Sequence, residues 1–272
     1  MSDRRTEAGK VAIVTGSATG VGAAAALLLA ERGCNVVINY TRSRAEAEAT
    51  AGACRACGVE VLIEQGDIAE DADCRRIVEA AIGRWQRIDY LVNNAGKTKF
   101  IPFEDMEALT KEVFLDIYTV NVVGTFQMIR AAAPHLRQAK GAIVITSSIG
   151  GVTGIASSMA YAASKAALNL LTRSLALTLA PEVRVNAICP GAIQTRWLKS
   201  GLGDAQYEAM ITGLAAQLPL QRVATADGIA RSVLAFLIDH TEVTGTTLNV
   251  DDGLHLGKLP AYSSKDKSRD LL

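Results

Sequence analysis

The stretch VAIVTGSATGVG, residues 11–22, runs from β-branched residues into a glycine-spaced turn and then into alanine-rich chain. Val11 to Thr15 has the composition of a buried strand, and the residues after Gly22 have the spacing of a helix. A glycine-rich turn between strand and helix lets backbone N–H groups and the positive helix end meet a pyrophosphate. Gly16 can make the turn, Gly20 admits close backbone approach, and Gly22 lets the helix pack tightly on the strand. Ala18, Thr19 and Val21 complete the candidate cradle. The spacing is GxxxGxG, not the GxGxxG of the usual dinucleotide fingerprint, and a tight turn without a ligand has the same composition. The strand before it and the helix after it are the context that a dinucleotide site requires.

Strand-length apolar runs recur outward from this turn: NVVINY (35–40), VEVLIE (59–64), IDYLVN (88–93), AIVITS (142–147), VRVNAI (183–188) and TTLNV (246–250). Segments with helical spacing separate them, at 20–32, 43–57, 71–86, 104–137, 158–180 and 225–239. Near-continuous apolar strands are buried on both faces, which calls for a parallel sheet covered by helices. The alternation predicts an α/β fold: a single doubly wound Rossmann-type domain, with a seven-stranded parallel sheet and helices on both faces. Residues 1–253 are expected to form that domain. Within it, 191–218 is too long and too apolar for a plain connection and is expected to be a substrate lid or binding loop. The tail, 254–272, lacks periodicity and is expected to be partly disordered or docked on another subunit.

Lys+Arg and Asp+Glu both number 28. The resulting zero net charge argues against nucleic acid and for a small-molecule substrate. The longest apolar run, Val21 to Ala30, is too short for a membrane span, and MSDRRTEAGK is followed by no apolar signal segment. A soluble cytoplasmic protein is expected. Of the five cysteines only Cys54 and Cys57 form a CxxC, and His135, His240 and His255 show no ligand spacing, so no metal is expected.

Two further stretches carry chemistry. At the end of the second strand, NYTRSR (39–44) offers no carboxylate to hold adenosine ribose hydroxyls and select NAD. Arg42, with Tyr40, Thr41 and Ser43 beside it, is suited instead to a 2′-phosphate, which favours NADP(H); NAD(H) stays possible, because Arg42 and Arg44 also read as solvated loop charges. In YAASK (161–165), helical spacing puts Tyr161 and Lys165 on one face, about 5–6 Å apart at Cβ. An ammonium about 4 Å from the phenol contributes up to roughly 4 kcal/mol at an effective dielectric of about 20. On that count the tyrosine is drawn from near 10 towards neutrality, where a phenol serves as a general acid–base. An ordinary helix with one aromatic and one solvated lysine has the same spacing.

The motifs together resemble the short-chain dehydrogenases/reductases from Lys10 to Gly253. They are TGSATGVG (15–22), GDI (66–68), NNAG (93–96), Asn121, ITSSIGG (145–151), YAASK and NAICPGAIQT (186–195). Within the family, NVVINYTRS and VNAICPG are closest to the 3-oxoacyl carrier-protein reductase branch. The resemblance implies that Tyr161 protonates the substrate oxygen, and that Lys165 lowers the tyrosine's pKa, binds the nicotinamide ribose and relays protons. It implies that Ser148, rather than adjacent Ser147, holds the substrate oxygen, and that Asn121 sits in a local helix break and holds a water. Asp67 and Ile68 would meet adenine; Asn93, Ala95 and Gly96 would lie beside the adenosine ribose. Pro190, Gly191, Ile193 and Thr195 would meet the nicotinamide. The implied reaction is NADP(H)-dependent reduction of a ketone, 3-oxoacyl-type or another small carbonyl, to a secondary alcohol, or the reverse. The alternatives are an NAD-dependent secondary alcohol dehydrogenase and a non-catalytic dinucleotide sensor. No basic residue lies between Leu177 and Val183, which speaks against a carrier-protein substrate, although Arg137 and Lys140 lie near the other candidate docking position. A homotetramer, or a homodimer, is implied by the family.

Overall fold

Ile13 and Val14 are both fully buried, yet they belong to different cores, because successive strand residues point to opposite faces. That two-sided burial makes the sheet parallel and helix-covered. A computed structural model describes residues 6–194 and 204–257. The strands are β1 (Val11–Val14), β2 (Asn35–Tyr40), β3 (Val61–Gln65), β4 (Tyr90–Asn93), β5 (Ala142–Thr146) and β6 (Arg184–Pro190). After β6, the two-residue strands β7 (Ile193–Gln194) and β8 (Ala224–Thr225) pair in a separate ribbon, too short to be marked in the sequence. β9 (Thr247–Val250) completes the main sheet, whose seven strands are all parallel in the order 3-2-1-4-5-6-9.

The helices are α1 (Gly20–Glu31), α2 (Arg44–Ala56), α3 (Asp71–Trp85), α4 (Lys111–Tyr118), α5 (Thr125–Ala139), α6 (Gly150–Thr153), α7 (Met159–Leu179), α8 (Asp204–Ala215) and α9 (Ala226–Leu234). On one face Val14, Val36 and Ile38 pack with Leu29 of α1, Ala51 of α2 and Val233 of α9. On the other, Ile13, Val37 and Leu91 pack with Ile77 of α3, Met128 of α5 and Leu168 of α7. The chain leaves β1 towards β3 on one side and returns to β4 on the other. That reversal opens a crevice at the carboxyl ends of the strands, where doubly wound sheets bind ligands.

Two expected helices are divided: 225–239 becomes α9 followed by a π-helical segment, Ala235–Asp239, and 104–137 is broken further. The segment 104–137 becomes turns to Thr110, then α4, then a π-helical segment Thr119–Gly124, then α5. Local bonds hold 102–108 out of the helix: Asp105 N donates to Pro102 O, and Asp105 Oδ1 accepts from Ala108 N. The apolar 191–218 segment contains α8 among its described residues; Trp197, Leu198 and Leu202 lie outside them, as does the tail from 258. Among the described residues no helix is long and apolar enough to cross a membrane.

Candidate active site

The strand ends open into one cleft of about 1260 Å³. Gly16, Thr19, Gly20 and Val21 form the wall after β1. Gly16 has φ +60°, and a Cβ on it would lie 2.9 Å from Ala95 Cα, so a side chain is excluded both by the turn and by its neighbour. Gly22 does not line the cleft; a Cβ there would meet Gly16 O at 2.5 Å and Asn94 Nδ2 at 2.6 Å. It therefore serves helix–strand packing. α1 starts without a side-chain cap and without an acidic residue in its first turn. Its first N–H groups thus remain available to an anion at the positive helix end. Ala18 is buried, its carbonyl accepting from Thr50 Oγ1 at 3.0 Å.

Thr41, Arg42, Asp67 and Ile68 line the end of the cleft beyond β2 and β3. Arg42 forms no ion pair among the described residues. Tyr40 is buried in the core and Ser43 stands at the N-cap position of α2 without a side-chain cap bond; neither lines the cleft, contrary to expectation, and the alternation of β2 turns Tyr40 inward. Asp67 makes a local turn, Oδ1 accepting from Ala69 N at 3.0 Å, and is not the cap of α3, which begins after Glu70.

Two residues that the sequence reading does not single out join these walls. Asn39 is 2% exposed; its Oδ1 accepts from Gly16 N at 3.2 Å and its Nδ2 donates to Glu64 O at 3.2 Å and Gly66 O at 3.1 Å. It thereby ties the turn after β1 and the end of β3 to β2. Asn94 Nδ2 donates to Thr15 O and Gly16 O, at 3.2 and 3.1 Å. The only signal for Asn39 is a polar residue inside an otherwise apolar strand. Asn93, by contrast, is buried and braces the fold, Nδ2 donating to Thr125 O at 3.1 Å; Ala95 and Gly96 line the cleft.

At the other end, Ser158 caps α7 by accepting from Tyr161 N at 3.3 Å, and the helix carries Tyr161 and Lys165 onto the cleft. Lys165 is 2% exposed, its Nζ donating to Thr146 O at 2.8 Å and lying 5.5 Å from the centre of the Tyr161 ring. The Ser148 hydroxyl bonds the phenol, whereas Ser147 is buried with its Oγ donating to Lys165 O at 3.0 Å. Burial pushes the Tyr161 phenol up to about 12, partly offset by the Ser148 bond, and pushes the Lys165 ammonium down to about 8. The expected shift of the phenol towards neutrality is therefore reversed. Desolvation of the phenolate outweighs the field of the ammonium, and spacing along a helix reports only the latter.

Asn121 lies fully buried in the π-helical segment, in the helix break expected for it. Its Oδ1 accepts from Lys97 N at 2.7 Å, and its Nδ2 donates to Lys97 O and Ser164 Oγ, both at 3.0 Å. It fixes the strand-end loop beneath the cleft without lining it. Pro190, Gly191 and Ile193 line the cleft beside Lys165; Thr195 lies outside the described residues.

A family model described as Enoyl-(Acyl carrier protein) reductase matches residues 16–255. The crystal structure of "a putative short-chain dehydrogenase/reductase" from Burkholderia xenovorans is 38% identical, superposes with a TM-score of 0.85, and covers 91% of this chain and 98% of its own. The chain belongs to the short-chain dehydrogenase/reductase family. Among the curated members similar to this dehydrogenase/reductase is the "Granaticin polyketide synthase putative ketoacyl reductase 2" of Streptomyces violaceoruber. It is 42% identical over 90% of this chain and 96% of its own length. The 3-oxoacyl-[acyl-carrier-protein] reductase FabG of Staphylococcus aureus is 34% identical over 91% and 98%. Members of this family are oxidoreductases that use nicotinamide dinucleotides. The residues of this dehydrogenase/reductase fit such a group: an uncapped helix start, a turn that excludes Cβ, and a buried Thr146 Oγ1 on the cleft with no hydrogen-bond partner among the described residues.

Proposed function

We propose that the protein is an NADP(H)-dependent oxidoreductase that reduces a ketone, 3-oxoacyl-type or another small carbonyl, to a secondary alcohol, and catalyses the reverse. The observation that carries this reading is that the glycine turn, Arg42, Ser148, Tyr161 and Lys165 all line one cleft. Gly20 and Val21 at the start of α1 would hold the pyrophosphate, and Arg42 with Thr41 the adenosine end with its 2′-phosphate. Pro190, Gly191 and Ile193 would lie against the nicotinamide. When bound, the cofactor supplies or accepts the hydride. Ser148 and Tyr161 hold the substrate oxygen through hydrogen bonds that strengthen as charge develops on it. A phenol kept protonated by burial is a proton donor, so Tyr161 donates to the oxygen in reduction and takes the hydroxyl proton in the reverse direction. Lys165 reprotonates the phenol oxygen, and Asn121 keeps one acceptor lone pair for a water leading outward from Lys165.

Arg137 reaches the stretch 177–183, where its guanidinium donates to Thr178 O at 2.7 Å and is engaged by Glu182 at 2.9 Å, which supports a free small molecule over a carrier-linked substrate. NAD(H) use, in a secondary alcohol dehydrogenase, is the second reading, favoured by Thr19, an uncharged residue before the middle glycine. The family reading also includes a homotetramer or homodimer. Exposed apolar residues support it: Phe114 and Leu115 on α4, Phe126 on α5, Leu170 and Leu177 on α7. The test of the chemistry is Tyr161→Phe. The variant is expected to bind dinucleotide as the parent does and to lose turnover by about 10²–10⁴-fold. Equal turnover in both proteins would refute the mechanism.

A further inference from the structure

Thr98 and Ser157 face each other across the substrate end of the cleft, and both line it. Their hydroxyl oxygens are 2.5 Å apart, both residues are half-buried, and neither hydroxyl has another partner among the described residues. A hydroxyl has one donor and two acceptor sites. When one of the two donates to the other, the acceptor's own O–H is left unspent, and so are lone pairs on both oxygens. The pair is held in place by backbone: Ile101 N donates to Ser157 O at 2.9 Å, and the next residue, Ser158, caps the helix that carries Tyr161.

The surroundings of the pair are apolar, with Phe100, Ile101, Phe103, Ile155 and Met210 on the same end of the cleft. Lys97 is the cation of this end, and its Nζ is already bound to Asp116 Oδ1 at 2.5 Å. Among the described residues, this end offers an apolar wall with one unspent donor and no unpaired cation, which suits an uncharged oxygen atom on an apolar body.

We infer that the Thr98–Ser157 hydroxyl pair is a substrate subsite that binds a second, uncharged oxygen of an apolar ketone, an ester carbonyl or hydroxyl away from the reacting carbonyl. This rests on the proposed ketone reduction and adds the group that reads the substrate. A site that hydrogen-bonds a substrate oxygen discriminates strongly against the analogue that lacks it. The competing role for the pair is a staple between the loops after β4 and before α7, with no contact to substrate.

The test compares two ketones of equal chain length, ethyl 3-oxohexanoate and 4-nonanone, as the ratio of their kcat/KM values. In the double variant Thr98→Val with Ser157→Ala that ratio is expected to fall at least tenfold from the parent's. The hydroxyl-retaining Thr98→Ser is expected to keep it. An unchanged ratio, with both ketones slowed together or neither affected, identifies a staple and overturns the subsite. Loss of the ratio in Thr98→Ser as well assigns the effect to packing and also overturns it. Should the double variant fail to fold, the near-isosteric Thr98→Val is read by the same ratio. Absence of turnover in the parent with either ketone and with both NADPH and NADH is the distinct failure of ketone reduction itself, and the subsite falls with it.

Discussion

Lys165 is held in the fold at a cost. The ammonium is almost completely buried, has a carbonyl partner and no carboxylate among the described residues, and desolvation brings its pKa from 10.5 down to about 8. The unfolded chain keeps that proton up to about pH 10.5, so between about 8 and 10.5 the unfolded state binds more protons and stability rises with pH. Tyr161 has the opposite sign: its folded pKa is about 12 against 10 unfolded, so its contribution is lost as pH climbs from about 10 to 12. Lys165→Met should therefore be more stable than the parent at neutral pH, by up to about 3 kcal/mol. The advantage should fade as pH rises through 8 to 10.5, while turnover is lost at every pH. Urea unfolding of both proteins across that range checks it. A variant less stable than the parent at pH 7 would show that the bond to Thr146 outweighs the desolvation.

At the scale of elements, the loops that form the cleft depend on buried amides more than on the glycines that mark them. Asn39→Ala removes the acceptor for Gly16 N and the donors for Glu64 O and Gly66 O. It should cost about 2–3 kcal/mol of stability and weaken dinucleotide binding about tenfold, read by chemical unfolding and calorimetry. An affinity unchanged in a destabilised variant would limit Asn39 to the fold. Gly22→Ala places a methyl 2.5 Å from Gly16 O, so a backbone shift is unavoidable and a loss of about 1–3 kcal/mol is expected in the melting profile. The strands were legible because NVVINY or AIVITS is apolar on both faces, and the glycine turn because it sits at a strand end. Asn39 and Asn94 were not, because their partners lie far away in the chain and a buried amide leaves no periodic trace. The same limit hid the rise of the Tyr161 pKa: spacing reports that Lys165 is near, whereas burial depends on everything packed around both. Local turns around Asp105 likewise outweighed a pattern that reads as helix from 104.

At the scale of the molecule, the reversal of strand order between β1 and β4 brings chain segments more than a hundred residues apart to one cleft. Large apolar side chains stand exposed on α4, α5 and α7, among them Phe114, Phe126, Leu170 and Leu177. If those faces pair copies of the chain, Phe126→Glu combined with Leu177→Glu should shift sedimentation velocity profiles from the assembled species towards monomer. A parent protein that sediments as a monomer would remove the proposed assembly and leave the cleft argument untouched.

The central claim is that one cleft takes NADPH at one end and a ketone at Tyr161, and its cofactor half can be tested without a substrate. The measurement is a titration of the parent and of Arg42→Ala with NADPH and NADH, giving four dissociation constants. The account predicts that the parent binds NADPH at least tenfold more tightly, about 1.4 kcal/mol, and that Arg42→Ala abolishes the preference by weakening NADPH alone. A parent that prefers NADH would contradict the cofactor assignment and make the NAD-dependent alcohol dehydrogenase the better reading; one that binds neither would contradict the account at its base.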